Sequence, residues 1–268
     1  MLRGFHLANN GNITDEHLDW LQGAEMVKCL VRLDLPAEPT GFQRLHEALP
    51  PRTEFVLRLY MTGRWSAEDF VQRTQERLPR ILSALGNRTT WIEIHNEPNH
   101  KDGIEGWGRG MEHVTTFIPW YHYILSRFRC IGFQNLGFPG LALGDQHWER
   151  VWARECKQII EMSDWIGVHS YWQDGPDQMF DDRLGWNWSW YQKRFPGKRL
   201  IVTEAGNSNC HSSNVYQVLS PEQQADQYLE WCKHAEDGPH GVCFFMLGGT
   251  QDWAGFQVHK ETIFTLRR

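Results

Sequence analysis

The chain has 268 residues, 41% of them hydrophobic and 22% charged, with a formal charge of −6. That length suits a single α/β barrel-sized domain, and the negative balance argues against a nucleic-acid partner, whose phosphates call for a concentrated basic face. No apolar run nears the roughly 20 residues needed to cross a bilayer, so no membrane partner is expected, while a neutral glycan is left open as a substrate.

Structure is expected to start almost at once, with a strand at Gly4–Leu7. With no signal peptide ahead of it, the chain reads as cytoplasmic, or as secreted if a leader has been removed. A helix at Thr14–Gln22 leads to a strand at Met26–Leu33, a thin helix at Gly41–Leu49 and a strand at Glu54–Tyr60. Ser66, just before Ala67-Glu68-Asp69, is a capping residue for a helix whose apolar positions run to Leu85, with Gly86 as its stop. Strands at Trp91–His95, Leu136–Leu141, Trp165–Ser170, Leu200–Thr203 and Val242–Leu247 then alternate with helices at Phe117–Phe128, His147–Met162, Gln178–Arg194 and Pro221–Ala235. A short helix at Thr262–Arg268 closes the chain. Near-continuous apolar strands suit a parallel sheet covered on both faces. Eight strand–helix alternations predict an α/β fold of the (β/α)8 TIM-barrel type, one domain over residues 1–268. The competing doubly wound sheet calls for a glycine-rich phosphate turn after an early strand, and none is present.

Two of these strands end in glutamate. Trp91-Ile92-Glu93-Ile94-His95-Asn96-Glu97-Pro98-Asn99 carries Glu97, and Arg199-Leu200-Ile201-Val202-Thr203-Glu204-Ala205-Gly206 carries Glu204. In a barrel the functional groups sit at the C-terminal ends of strands. Two carboxylates across one cleft are what glycoside hydrolysis needs, one to protonate the leaving oxygen and one to meet the sugar carbon. Asn96 offers a donor and an acceptor to a sugar hydroxyl. Arg58 interrupts an apolar strand and needs an acidic partner, a structural ion pair being the favoured reading. Asp34 is a partner for Arg58 or for Arg32. His169 has three readings: substrate contact, orientation of a carboxylate, or a structural bond to a loop.

Fourteen tryptophans add a heavy aromatic load. Trp107, Trp172 and Trp253, in the loops after the fourth, sixth and eighth strands, are expected with His211 to line an extended cleft for an oligo- or polysaccharide. Trp186, Trp188 and Trp190 lie in or near a helix, which would spread them apart, so core packing of one or two is favoured over a three-ring sugar ladder. The six cysteines show no CxxC spacing and read as free thiols. None of the thirteen histidines forms HxH or HExxH, so neither a metal nor another cofactor is expected.

These motifs resemble the clan A glycoside hydrolases, retaining enzymes on a (β/α)8 barrel with Asn-Glu after the fourth strand and a second glutamate ending the seventh. The resemblance implies Glu97 as general acid/base, Glu204 as nucleophile, and Asn96 as partner of the sugar 2-hydroxyl. Val168-His169-Ser170-Tyr171 matches a His-x-Tyr pattern in which the tyrosine orients the nucleophile, and Arg32 resembles an arginine placed near it. The run from Ile94 to Asn99 is reminiscent of family 39 members, although the compact length is not. One departure is the eighth strand, Val242-Cys243-Phe244-Phe245-Met246-Leu247, which lacks the tryptophan that floors the site in many members; Trp253 is the candidate substitute. The resemblance therefore implies a retaining β-glycoside hydrolase acting on a carbohydrate. A non-catalytic glycan-binding barrel is the first alternative, and a metal-dependent hydrolase the second. Sugar identity, linkage and oligomeric state are not legible in the residues.

Overall fold

The structure is a computed structural model that describes residues 1–7, 12–35, 39–101, 106–143, 146–173, 175–208, 219–247 and 258–266. Eight parallel strands close into a barrel in sequence order: β1 (Leu2–Leu7), β2 (Met26–Arg32), β3 (Glu54–Tyr60), β4 (Thr90–Ile94), β5 (Leu136–Phe138), β6 (Trp165–Trp172), β7 (Arg199–Asn207) and β8 (Gly241–Leu247). The expected (β/α)8 fold is the observed one. The barrel closes where β1 runs parallel to β8, from Leu2 opposite Gly241 to Phe5 opposite Phe244.

The helices among the described residues are α1 (Asp15–Leu21), α2 (Pro39–Ala48), α3 (Ala67–Ala84), α4 (Met111–Ile131), α5 (Gln146–Glu155), α6 (Lys157–Met162), α7 (Pro176–Met179), α8 (Asn187–Arg194), α9 (Pro221–His234) and α10 (Lys260–Leu266). Local chemistry explains several of their ends. The Ser66 hydroxyl accepts from the Asp69 amide at the start of α3, and Gly86 follows its end with φ +64°. Ser220 caps α9 in a reciprocal box with Gln223, with Pro221 in the first turn. Two expected helices are each broken in two. The stretch read as His147–Met162 divides between α5 and α6 at Cys156, and the one read as Gln178–Arg194 divides between α7 and α8 across a run of turns. In that second gap the backbone bonds from Trp186 to Asp181 and from Gly185 to Gln178 replace helical ones.

Alternation along each strand sorts side chains into two layers. Val27, Cys29, Val31, Leu57, Leu59, Val202 and Phe244 point outward and join the helices in the main core. Met26, Val56, Trp91, Trp165, Ile201 and Cys243 form a separate apolar plug that fills the N-terminal end of the barrel interior. Above this plug the interior turns polar: Lys28, Arg58, Glu93, His169 and Glu204 are all buried. Charges are costly to bury unless paired, so this layer must be satisfied internally.

Candidate active site

The turn after β4 presents Glu97 through an unusual backbone. His95 and Glu97 both have positive φ, +79° and +39°, a region that side chains seldom adopt. The turn is pinned to the next strand's exit. The Glu97 amide donates to Gly140 O (3.0 Å), while Asn99 Nδ2 donates to Ala142 O (2.9 Å) and Asn99 Oδ1 accepts from the Ala142 amide (2.8 Å). The positive φ turns the His95 ring out of the barrel onto Phe117 and Trp120 of α4, where burial lowers its pKa to about 4 and leaves it neutral. Glu97 remains at the mouth with its side chain 22% exposed.

Glu204 enters the barrel through a bulge. Val168 pairs with Val202, but the next residue, His169, pairs with Glu204, so Thr203 is the extra residue. Strict alternation from the inward Ile201 and outward Val202 would send Glu204 outward; the bulge reverses the parity, and Ala205 then joins the outer core. Inside, Glu204 Oε1 accepts from Lys28 Nζ (3.0 Å) and Arg58 Nη1 (3.4 Å), and Oε2 accepts from the Tyr171 hydroxyl (2.7 Å). His6 Nδ1 lies 3.6 Å from Oε1. Burial opposes the charge of Glu204, but the cations beside it, His169 and Lys28 ahead of Arg58, outweigh it and hold its carboxyl well below the usual carboxylate range. Burial and Lys28 in turn push His6 well below 6.5, so that ring is neutral near pH 7. Burial, then the Glu204 charge, raise the Tyr171 hydroxyl well above 10, so it remains a donor.

His169 stands between the two glutamates. Its Nδ1 is 2.8 Å from Glu97 Oε1 and its Nε2 is 3.8 Å from Glu204 Oε2. Burial alone would lower its pKa, but the two carboxylates raise it above 6.5. The ring fits because its neighbour on the β5 side has no side chain: a Cβ on Gly140 would lie 2.3 Å from the imidazole. An oxygen of Glu97 and an oxygen of Glu204 lie within 4.8 Å of each other. One carboxyl is half-open at the mouth, and the other is buried among cations.

No family model and no curated protein matches the sequence. Solved structures do match it, along nearly the whole chain and at low identity. An endo-β-1,3-glucanase of GH128 subgroup I from Amycolatopsis mediterranei, in complex with laminarihexaose, superposes with a TM-score of 0.62 at 18% identity, covering 99% of this chain and 98% of that one. An endo-β-1,4-glucanase from Xanthomonas axonopodis pv. citri gives 0.62 at 11%, with coverages of 99% and 98%. A curdlan-specific exo-β-1,3-glucanase of GH128 subgroup III from Blastomyces gilchristii gives 0.60 at 14%, with 98% and 97%. At such identities the likeness is one of fold.

Of the residues singled out in the sequence, Glu97, His169, Tyr171 and Glu204 are joined by hydrogen bonds and ion pairs at the barrel mouth, and Asn96, buried, precedes Glu97 in the turn after β4. Arg32 does not take the place expected beside Glu204. It is gripped by Asp34, through Nε to Oδ1 (3.0 Å) and Nη2 to Oδ2 (2.6 Å), and the cations on Glu204 are Lys28 and Arg58. The physical reason is position along the strand: Arg32 ends β2 at the rim, four residues and two inward positions above Lys28, with its guanidinium, like that of Arg58, against the Tyr60 ring. Trp107 and Trp172 are not cleft platforms either. Trp107 is packed against Phe117 and Trp120, and Trp172, which follows Tyr171 and so faces the other way, donates its indole N–H to Gln227 Oε1 (2.8 Å) and packs on Tyr228. Trp253 and His211 lie outside the described residues. Phe245, inward on β8, brings an aromatic ring to the site, 5.0 Å from His6 and 6.1 Å from Tyr171 between centroids.

His6, Lys28, Glu93 and Phe245 belong to the site without a sequence motif that marks them. The signal for Lys28 was present, since a lysine inside the apolar run Met26–Val31 asks for a buried acid as plainly as Arg58 does. Glu97, His169 and Glu204 are also the candidate metal-holding group among the described residues. The imidazole turns a different nitrogen to each carboxylate, and two cations already crowd Glu204 Oε1. That donor set is arranged for hydrogen bonds and ion pairs rather than for a metal ion.

Proposed function

We propose that the protein is a retaining glycoside hydrolase acting on a β-glucan, with Glu204 as nucleophile and Glu97 as general acid/base. The observation that carries this reading is the pair of carboxylates within 4.8 Å, one buried and ionised, one open to the mouth. Retaining hydrolases hold their carboxyls about 5–5.5 Å apart, whereas inverting ones leave room for a water between them. In the first step a Glu204 oxygen bonds to the anomeric carbon as the glycosidic C–O bond breaks, and the Glu97 proton passes to the departing oxygen. In the second, Glu97 takes a proton from water while that water displaces Glu204 from the sugar. The β-glucan preference draws on the fold neighbours, which are described as acting on β-1,3- and β-1,4-glucans.

The test is a screen of β-1,3- and β-1,4-gluco-oligosaccharides, with the anomer of the first product followed by proton NMR. Retained configuration is expected, with kcat lower by roughly 100- to 10,000-fold in Glu204→Gln and, for substrates with poor leaving groups, in Glu97→Gln. Tight binding without turnover would favour the glycan-binding alternative, and inversion would replace the mechanism. Turnover that survives both substitutions would end the proposal.

A further inference from the structure

The floor of this site is a buried charge cluster that the two-glutamate mechanism leaves unexplained. Lys28, on β2, is fully buried, and its ammonium lies 2.8 Å from Glu93 Oε2 and 3.0 Å from Glu204 Oε1. Glu93, on β4, is likewise fully buried and takes no part in the mouth; its other oxygen accepts from the Gly140 amide at 3.3 Å. The barrel is built around it, since a Cβ on Gly167 would stand 2.8 Å from Glu93 Oε1. Lys28 thus joins an acid that meets substrate to one that does not. With Arg58 the cluster holds two cations and two anions.

Covalent catalysis changes that balance. When Glu204 becomes a glycosyl ester its negative charge is gone, while the cations stay where they are. A lysine whose sole partner was Glu204 would then be an unpaired charge in a buried interior, which is strongly unfavourable. We propose that Lys28 and Glu93 are positioning residues: Lys28 holds the charge and direction of Glu204 in the resting enzyme, and Glu93 keeps Lys28 paired while Glu204 is esterified. This inference rests on the proposed role of Glu204 as nucleophile. The covalent step balances as above: the Glu204 oxygen–carbon bond forms, the glycosidic bond breaks, and the proton leaves from Glu97.

The experiment compares the wild type, Glu93→Gln, and the double variant Lys28→Met with Glu93→Gln, which removes both charges of the inner pair together. Lys28→Met alone would strand Glu93 and threaten folding. In Glu93→Gln, kcat is expected to fall about tenfold or more with KM little changed, because only the esterified state has lost its compensation. In the double variant the acid limb of kcat/KM is expected to move upward by about one pH unit or more. The Glu204 carboxyl is also titrated directly by NMR on protein carrying 13C at glutamate Cδ, assigned through Glu204→Gln. Its midpoint should rise in the double variant and stay low in Glu93→Gln. That titration needs no turnover, so it separates failure of this inference from failure of the hydrolase reading. A Glu204 midpoint unchanged in the double variant would overturn the role of Lys28. Wild-type kcat in Glu93→Gln would overturn the role of Glu93.

Discussion

At the residue scale, the site works through unequal surroundings for like groups. Glu204 shares its oxygens among Lys28, Arg58 and Tyr171, while Glu97 has the His169 ring and the open mouth. The proposed nucleophile must be ionised to attack, and Glu204 is held ionised by a carboxyl pKa well below the usual carboxylate range. The acid limb of kcat/KM for an activated aryl glycoside is therefore expected below about pH 4.3, the ordinary glutamate value. The two arginines are separable by the same measurement. Arg58→Ala should raise that limb by roughly one unit, because a buried cation 3.4 Å from Oε1 is lost. Arg32→Ala, whose partner is Asp34, should leave it in place.

At the element scale, strand irregularity and helix capping place these residues. The β7 bulge turns Glu204 inward, and α9 packs behind β7 and β8 through Tyr228, stacked on Phe244 at 4.2 Å, and Trp231. Ser220→Ala removes the α9 cap and should cost about 1 kcal/mol, which for a chain of this size lowers Tm by about 2–4 °C. Trp172→Phe keeps most of the packing but loses the bond to Gln227, worth about 1 kcal/mol. A lower Tm with unchanged KM for oligosaccharides is expected, since that indole faces the helices. A raised KM would return Trp172 to the cleft.

At the scale of the whole molecule, closure and buried histidines govern stability. The β1–β2 seam depends on a missing side chain, as a Cβ on Gly4 would fall 1.6 Å from Met26 O. Gly4→Ala should cost more than roughly 3 kcal/mol in urea unfolding, because backbone cannot yield as a flexible side chain would. His95 is held at about 4, and His6 well below 6.5, by burial first of all. A group whose folded pKa is depressed binds protons more readily when unfolded, so its stability is present above about pH 6.5 and is lost as pH falls toward the folded value. For His95 that loss is on the order of 3 kcal/mol between pH 6.5 and 4. His169, raised by the two carboxylates, has the opposite sign: its contribution is present below 6.5 and fades as pH rises through its folded value. His17 is lowered by burial as well, so with three histidines against one, Tm measured at constant ionic strength should fall from pH 7 to pH 4.5. A Tm that rose over that interval would contradict the neutral burial of His6 and His95.

Legible in the residues alone were the eightfold alternation, the strand ends that bear Glu97 and Glu204, and the cap at Ser66. These are local properties: apolar runs, their period, and the residues that stop them. His169 and Tyr171 were legible as well, because they share one face of one strand. Tertiary structure alone decided which cation meets Glu204, that Trp107 and Trp172 are core, and that Lys28 and Glu93 lie beneath the site. Each of these depends on register between strands far apart in the chain. Lys28 and Glu204 are 176 residues apart, and their contact needs both the closure of the barrel and the one extra residue, Thr203, in β7. Alternation along a strand assigns each side chain to one of two faces, but a bulge reverses that assignment, and bulges are set by how neighbouring strands pair rather than by any residue type within them.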